Sequence, residues 1–191
     1  MCIAFWWMKL RAMGLLALGC NDAAINIFNK MVTRWPLNPY PLASRAHLLT
    51  QEKHTAAALL DSHRLLALRP GHAPTWFNHG FMLEEAGQLD DALHAFETAT
   101  ALDETLDRAW YGQGLVLIRL KQFEKAVNAL KRNTELQPMS PYAWYQLARV
   151  YVDRHQLDEA VKIISHLKGF EPRVAAQLER ETGLRAGQVA G

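Results

Sequence analysis

Trp76, Trp110 and Trp144 stand 34 residues apart, and each opens a stretch with the same internal layout. A small residue follows four positions on (Gly80, Gly114, Ala148), and an apolar one at plus seven (Leu83, Leu117, Tyr151). Alanine recurs at plus sixteen (Ala92, Ala126, Ala160), a bulky apolar residue at plus twenty (Phe96, Leu130, Ile164), and Pro138 and Pro172 at plus twenty-eight in the last two stretches. Carried backwards, the same offsets meet Ala46, Leu49, Ala58, Leu65 and Pro70 from Leu42, and Ala12, Leu15, Ala24, Phe28, Met31 and Pro36 from Met8. Five repeats therefore tile residues 5–38, 39–72, 73–106, 107–140 and 141–174 without an insertion, after a lead of residues 1–4. A fixed period of this length restricts the chain to stacked copies of one supersecondary unit.

The offsets also say what that unit is. Positions 0, +3/+4 and +7 share one face of a helix of period 3.6, and +16, +20 and +23 share one face of a second. Each repeat is thus expected to be two amphipathic helices, broken where Gly19 and Gly87 can adopt the left-handed backbone that ends a helix. The small residue at +4 lets the two backbones approach, and proline at the repeat's end stops the second helix. Neither helix can bury its stripe alone, so the repeats must stack.

Tryptophan, small residue, alanine, bulky apolar residue and proline at this spacing resemble the tetratricopeptide repeat, over about 170 residues of the chain. The resemblance implies an all-α fold, a right-handed superhelical solenoid of five helix-turn-helix repeats with a C-terminal capping helix. The departures are few. Repeats one and two lack the tryptophan, Ser62 replaces the bulky residue at +20, Asn133 stands at a small position, and Glu104 stands where proline is expected. These bear most on the stability of repeat two.

The ends differ in character. Residues 175–191 read as a capping helix, with Val174, Ala175 and Leu178 on one side, followed by a frayed tail marked by Gly183, Gly187 and Gly191. At the other end Phe5, Trp6 and Trp7 form an apolar face, and Trp7 takes the place held in later repeats by Pro41, Thr75, Ala109 and Ala143, which should face a preceding repeat. Two readings stay open: a frayed hydrophobic lead or misplaced start, and a self-association face that another subunit covers. Lys9 and Arg11 ahead of Ala12–Gly19 and Cys20 also sketch a secretion signal with a lipid-attachment cysteine. Cleavage there would remove a helix that obeys the repeat frame, so a cytoplasmic location is expected. No segment supplies the roughly 20 clean apolar residues of a membrane span.

Composition narrows function. Half of the residues are hydrophobic and 21% charged, so the chain can build a core. The net charge of +2 leaves no overall footprint for nucleic acid or an anionic membrane surface. Cys2 and Cys20 fit neither a disulfide framework nor a zinc module, and no two of the eight histidines are spaced three or four apart on one helix face. No phosphate loop, His-Glu-x-x-His or Gly-x-Ser-x-Gly motif occurs. The expectation is a protein that is not an enzyme and carries no metal or cofactor.

What remains is surface. Positions +1, +5 and +8 line, in the family, the concave side of the solenoid, and here they include Ala43, His47, Thr50, Phe77, Phe81, Tyr111, Leu115, Tyr145 and Arg149. With Asn78, Arg108, Arg119 and Tyr142 these aromatics and arginines form the expected partner-binding groove, the arginines selecting acidic groups. A chaperone-type carboxylate clamp is disfavoured, because Ala43, His47, Asn78, Arg108 and Gly112 match its residues only in part. The reading is an adaptor or scaffold that holds a partner's segment or helix in that groove, with self-association through the N-terminal face as the alternative.

Overall fold

The computed structural model describes residues 3–187. Eleven helices occupy them, with no strand: α1 (Ile3–Ala17), α2 (Asn21–Arg34), α3 (Pro39–Gln51), α4 (Thr55–Leu68), α5 (Ala73–Glu85), α6 (Leu89–Leu102), α7 (Asp107–Arg119), α8 (Phe123–Leu136), α9 (Pro141–Asp153), α10 (Leu157–Phe170) and α11 (Pro172–Thr182). They fall into two compact bodies, Met1–Gln88 carrying α1–α5 and Leu89–Gly191 carrying α6–α11.

The turn between the two helices of a repeat shows how little glycine is needed to set the frame. Gly19, Lys53, Gly87, Lys121 and His155 stand 34 residues apart, and all five have φ between 58° and 76°. In each case the next residue's N–H reaches back to a carbonyl five positions earlier: Cys20 to Leu15, His54 to Leu49, Gln88 to Leu83, Gln122 to Leu117 and Gln156 to Tyr151, at 2.7–2.9 Å. This is the Schellman closure, which satisfies the last carbonyls of the first helix while reversing the chain. Three repeats impose the left-handed backbone on lysine or histidine, where it costs roughly 1–2 kcal/mol.

The tryptophans fasten successive repeats. Trp76 Nε1 donates to the Pro70 carbonyl at 2.7 Å, Trp110 Nε1 to Glu104 at 2.9 Å and Trp144 Nε1 to Pro138 at 2.9 Å. Because the acceptor is main chain, glutamate in place of proline at position 104 leaves the bond unchanged. Asn133, the other departure in this region, is buried and donates from Nδ2 to the Asp107 carbonyl at 2.7 Å, tying α8 to the start of α7.

Within the second body the small residue at +4 acts as its offset requires, and Gly112 at +2 adds a close approach the offsets did not name. A Cβ added to Gly114 would lie 2.7 Å from Leu130 Cγ and Cδ2, and one added to Gly112 would lie 2.8 Å from the Phe96 ring. So α7 packs with its glycines under the +20 residues of α8 and of α6. In the first body, Phe5, Ala12, Ala24, Ile27, Phe28, Met31 and Leu48 form one cluster, with Tyr40 and Trp35 packed on it. A second device there is ionic. Arg45 Nε donates to Asp61 Oδ2 at 2.6 Å, its Nη2 to the other carboxylate oxygen, and its Nη1 to Asn29 Oδ1 at 2.8 Å, joining α2, α3 and α4.

The C-terminal cap differs from expectation at both ends. It starts at Pro172 rather than after the fifth repeat, because proline's fixed φ suits the first turn of a helix as well as it stops the previous one. Residues 183–187 are not frayed: Ala186 N donates to Glu179 Oε1 at 3.0 Å, Gly187 N to Ser165 Oγ at 3.3 Å, and Leu184 and Ala186 pack on the α9–α11 core. The lead's residues 1–2 and the tail's residues 188–191, Gly191 included, lie outside the described residues.

Candidate functional site

In the first body the side of α3 predicted to line a groove opens onto a cavity of about 610 Å3 between α3, α4 and α5. Ala43, His47 and Thr50 border it from α3, as their offsets predict, and Ala46 lies at its base. From α5 come Asn78, Phe81, Met82 and Glu85, so that helix presents an edge turned slightly from the predicted one. Phe81 is exposed at the rim, whereas Phe77 is half-buried. Residues not assigned to the groove from sequence complete the wall: Ser62 and Leu65 on α4, Arg69 and His72 at the turn after it, Tyr40 at the start of α3 and Lys53 in the turn that follows it.

One lining residue, Ser62, breaks the repeat pattern. In the other four repeats the +20 position holds Phe28, Phe96, Leu130 or Ile164, each fully or almost fully buried. Serine there removes that bulk, and its Oγ makes a 3.0 Å hydrogen bond with Nδ1 of buried His79, on which the His63 ring packs at 4.6 Å. The departure that looked like a weakness in repeat two therefore makes a cavity whose wall is apolar at Ala46, Leu65, Phe81 and Met82 and polar at Ser62. Its charges are Arg69 and Lys53 against Glu85, with His72 holding Thr75 Oγ1 at 2.9 Å. Burial, and then the nearby Arg69 cation, push the His72 pKa below its ordinary value.

The predicted residues of the second body meet a different fate. Arg108, Arg119, Tyr142 and Arg149 are exposed, and Tyr111, Leu115 and Tyr145 half-buried. Tyr111, Tyr142 and Tyr145 line a shallower recess of about 300 Å3 with Pro141, Gln146, Val174 and Gln177. Its edge is held by the chain's own carboxylate. Tyr145 donates its hydroxyl to Glu181 Oε2 at 2.6 Å, Gln177 Nε2 donates to Oε1 at 2.8 Å, and the Arg149 guanidinium lies 5.7 Å from the Tyr145 ring. The Tyr145 bond is the main reason the Glu181 pKa falls below the ordinary carboxylate value while that of Tyr145 rises. The Tyr145 hydroxyl is thus already paired with a carboxylate, and the cap helix supplies it.

The N-terminal face divides. Phe5, grouped with Trp6 and Trp7 from sequence, is only 4% exposed and packs edge-on against Trp35 at 5.1 Å and Tyr40 at 6.1 Å. It points from α1 into the cluster, so the outward face is Trp6 and Trp7 without it. Cys20 is exposed between α1 and α2, and cleavage before it would strip Phe5 and Ala12 from that core. Among the described residues no helix is long and apolar enough to cross a membrane, and no three metal-ligating side chains converge.

Comparison with known proteins agrees with the fold. The model of the family "Anaphase-promoting complex, cyclosome, subunit 3" matches residues 85–167. Among solved structures, MamA 41-end from Desulfovibrio magneticus RS-1 superimposes with a TM-score of 0.81 at 21% identity, over 96% of this chain and 99% of that one. YrrB, a tetratricopeptide-repeat protein with an unusual peptide-binding site, gives 0.75 at 16% identity over 88% of both chains. The chain has the tetratricopeptide-repeat fold. PilW, a type IV pilus biogenesis factor, gives 0.75 at 20% identity over 95% of this chain and 93% of its own. At such identities the likeness is one of fold. No curated protein matches the chain.

Proposed function

We propose that this tetratricopeptide-repeat protein is a non-enzymatic adaptor whose first body binds an extended partner segment in the α3–α5 cavity. One observation carries the reading: the +20 position of repeat two is Ser62, and a cavity of about 610 Å3 opens above it. That volume is within the range of sites that accept a side chain or a small ligand. A partner's aliphatic or aromatic side chain would enter between Ala43, Ala46, Leu65, Phe81 and Met82, with Arg69 placed to receive a neighbouring carboxylate by charge-assisted bonds. That YrrB, on the same fold, has a peptide-binding site supports the choice of ligand class.

The test is a displayed random-peptide library selected against the full chain, followed by titration of the enriched peptides. Enriched sequences should share one bulky apolar residue with an acidic neighbour. Phe81→Ala should weaken them by about 1–3 kcal/mol, the cost of truncating a hot spot. Ser62→Leu should fill the cavity and abolish binding while circular dichroism shows the helices intact. Peptides that bind wild type and Ser62→Leu alike would refute the proposal.

A further inference from the structure

We infer that the outward face of α1 docks on an anionic lipid surface. Ile3, Trp6, Trp7, Leu10, Met13 and Leu18 are the exposed large apolar residues of this segment, with Trp6 49%, Trp7 59% and Leu10 67% exposed. At 100° per residue they fall within a stripe about 140° wide, and a rise of 1.5 Å per residue makes it about 22 Å long. The opposite side of the helix, through Phe5 and Ala12, is already buried in the body's own core. A helix apolar on two opposite sides needs an apolar neighbour on both, and here only one is supplied within the body.

Three occupants compete for the face, and the residues discriminate among them. A further repeat of the same kind does not fit. Its contact would fall on position −1, where the later repeats bury Pro41, Thr75, Ala109 and Ala143, none of them large, and on position +2, where Gly112 lies under the Phe96 ring and the other repeats carry polar Ser44, Asn78 and Gln146. In α1 those positions are Trp7 and Leu10. A second copy of the chain fits no better, for reasons of charge. The stripe is edged by Lys9 on one side and Arg11 on the other, and α1 contains no acidic residue. Antiparallel pairing of two such helices sets Lys9 against Lys9 and Arg11 against Arg11, and parallel pairing sets Lys9 against Arg11; each opposes like charges.

An anionic bilayer satisfies both features. Residues 1–38 contain Lys9, Arg11, Lys30 and Arg34 against Asp22 alone, a net +3 that the whole-chain value of +2 conceals. The Lys9 ammonium lies 5.0 Å from the Trp6 ring centroid and 4.4 Å from that of Tyr40, and the Arg11 guanidinium 5.4 Å from Trp7. Cations held beside indole rings at the margin of an apolar stripe are the arrangement expected at the headgroup level, with the stripe at the acyl boundary. At 15 residues α1 is too short to span, so it would lie in the plane of the surface.

Co-sedimentation of the full chain with vesicles tests this, using equimolar phosphatidylglycerol and phosphatidylcholine against phosphatidylcholine alone. The anionic vesicles should bind the protein, and added salt should weaken binding. Lys9→Glu with Arg11→Glu should lower the partition coefficient by about fivefold or more per cation removed. Trp6→Ser with Trp7→Ser should abolish it at unchanged helical circular dichroism, with Leu10→Ser as the substitute should the tryptophan pair fail to fold. Absent binding, binding indifferent to headgroup charge, or binding that the variants leave intact overturns the inference. So does a concentration-dependent dimer in sedimentation velocity that the tryptophan variant dissociates and the glutamate variant does not, which would assign the face to a second copy.

Discussion

Transplanting one packed pair between repeats would test whether the frame governs the interior. In repeat four the pair at +4 and +20 is Gly114 and Leu130; in repeat five it is Ala148 and Ile164, both fully buried. A Cβ on Gly114 would stand 2.7 Å from two Leu130 carbons, about 1 Å inside the 3.5–4.0 Å at which carbon atoms rest. Gly114→Ala alone gains up to about 1 kcal/mol of helix propensity, against an overpacking cost of about 1–3 kcal/mol. With the full propensity gain the expected net effect is a loss of about 0–2 kcal/mol. Leu130→Ile alone changes shape at constant volume and should cost under about 1.5 kcal/mol. If the +4 and +20 side chains meet as the structure places them, the double variant recovers the alanine penalty and reaches or exceeds wild-type stability. Urea unfolding of the four proteins followed by circular dichroism gives the coupling energy, expected to be at least about 1 kcal/mol and favourable. Additivity within about 0.5 kcal/mol would refute the argument that this contact sets the distance between α7 and α8.

Three other outcomes follow from the geometry. Lys121→Gly should stabilise the second body by about 0.5–1 kcal/mol, read as a rise in the urea midpoint, because a left-handed residue loses its Cβ penalty and retains its Schellman bonds. Arg45→Ala should destabilise the first body by about 3–5 kcal/mol, since the Asp61 side chain is 2% exposed and would keep an unpaired charge; Arg45→Met with Asp61→Leu should recover most of that, with hydrogen exchange in α3 and α4 as the readout. Tyr145→Phe should move the Glu181 titration midpoint in a carboxyl NMR experiment back up toward its ordinary value. The sign of the linked stability is that of a depressed carboxylate: present above the ordinary carboxylate range and lost as pH falls through the lowered folded value.

The fold was legible because one repeat written five times leaves few alternatives. A 34-residue frame that returns Trp, small residue, alanine and bulky apolar residue fixes which faces are buried before any contact is seen, and the described residues form helices at that spacing. Frame arithmetic served less well where a residue's role depends on its chemistry and not on its offset. Lys53, Lys121 and His155 take the conformation for which glycine was sought at Gly19 and Gly87, because the two closing hydrogen bonds dictate φ whatever the side chain. Glu104 replaces proline without loss because the Trp110 indole reads a carbonyl.

The site illustrates the opposite error, in which offsets assign too much. Exposure on the concave side made Tyr145 and Arg149 look available, yet Glu181 of the cap helix already occupies the hydrogen-bonding end of that tyrosine. Nothing in a repeat frame announces where a non-repeat helix will lie, since α11 lies outside the period. Phe5 likewise shares a run of aromatics with Trp6 and Trp7, but successive residues on a helix are about 100° apart, and only one of the three turns toward Phe28 and Tyr40. Ser62 was visible from the start as the single break in the row of bulky residues at +20. A missing bulky side chain in a stacked core must either let the helices close or leave space. Its hydrogen bond to His79 holds α4 and α5 in place, and space is what the structure contains. A gap in an otherwise regular pattern, with a polar residue that is itself satisfied, therefore marks the cavity in this chain more directly than any residue that conforms.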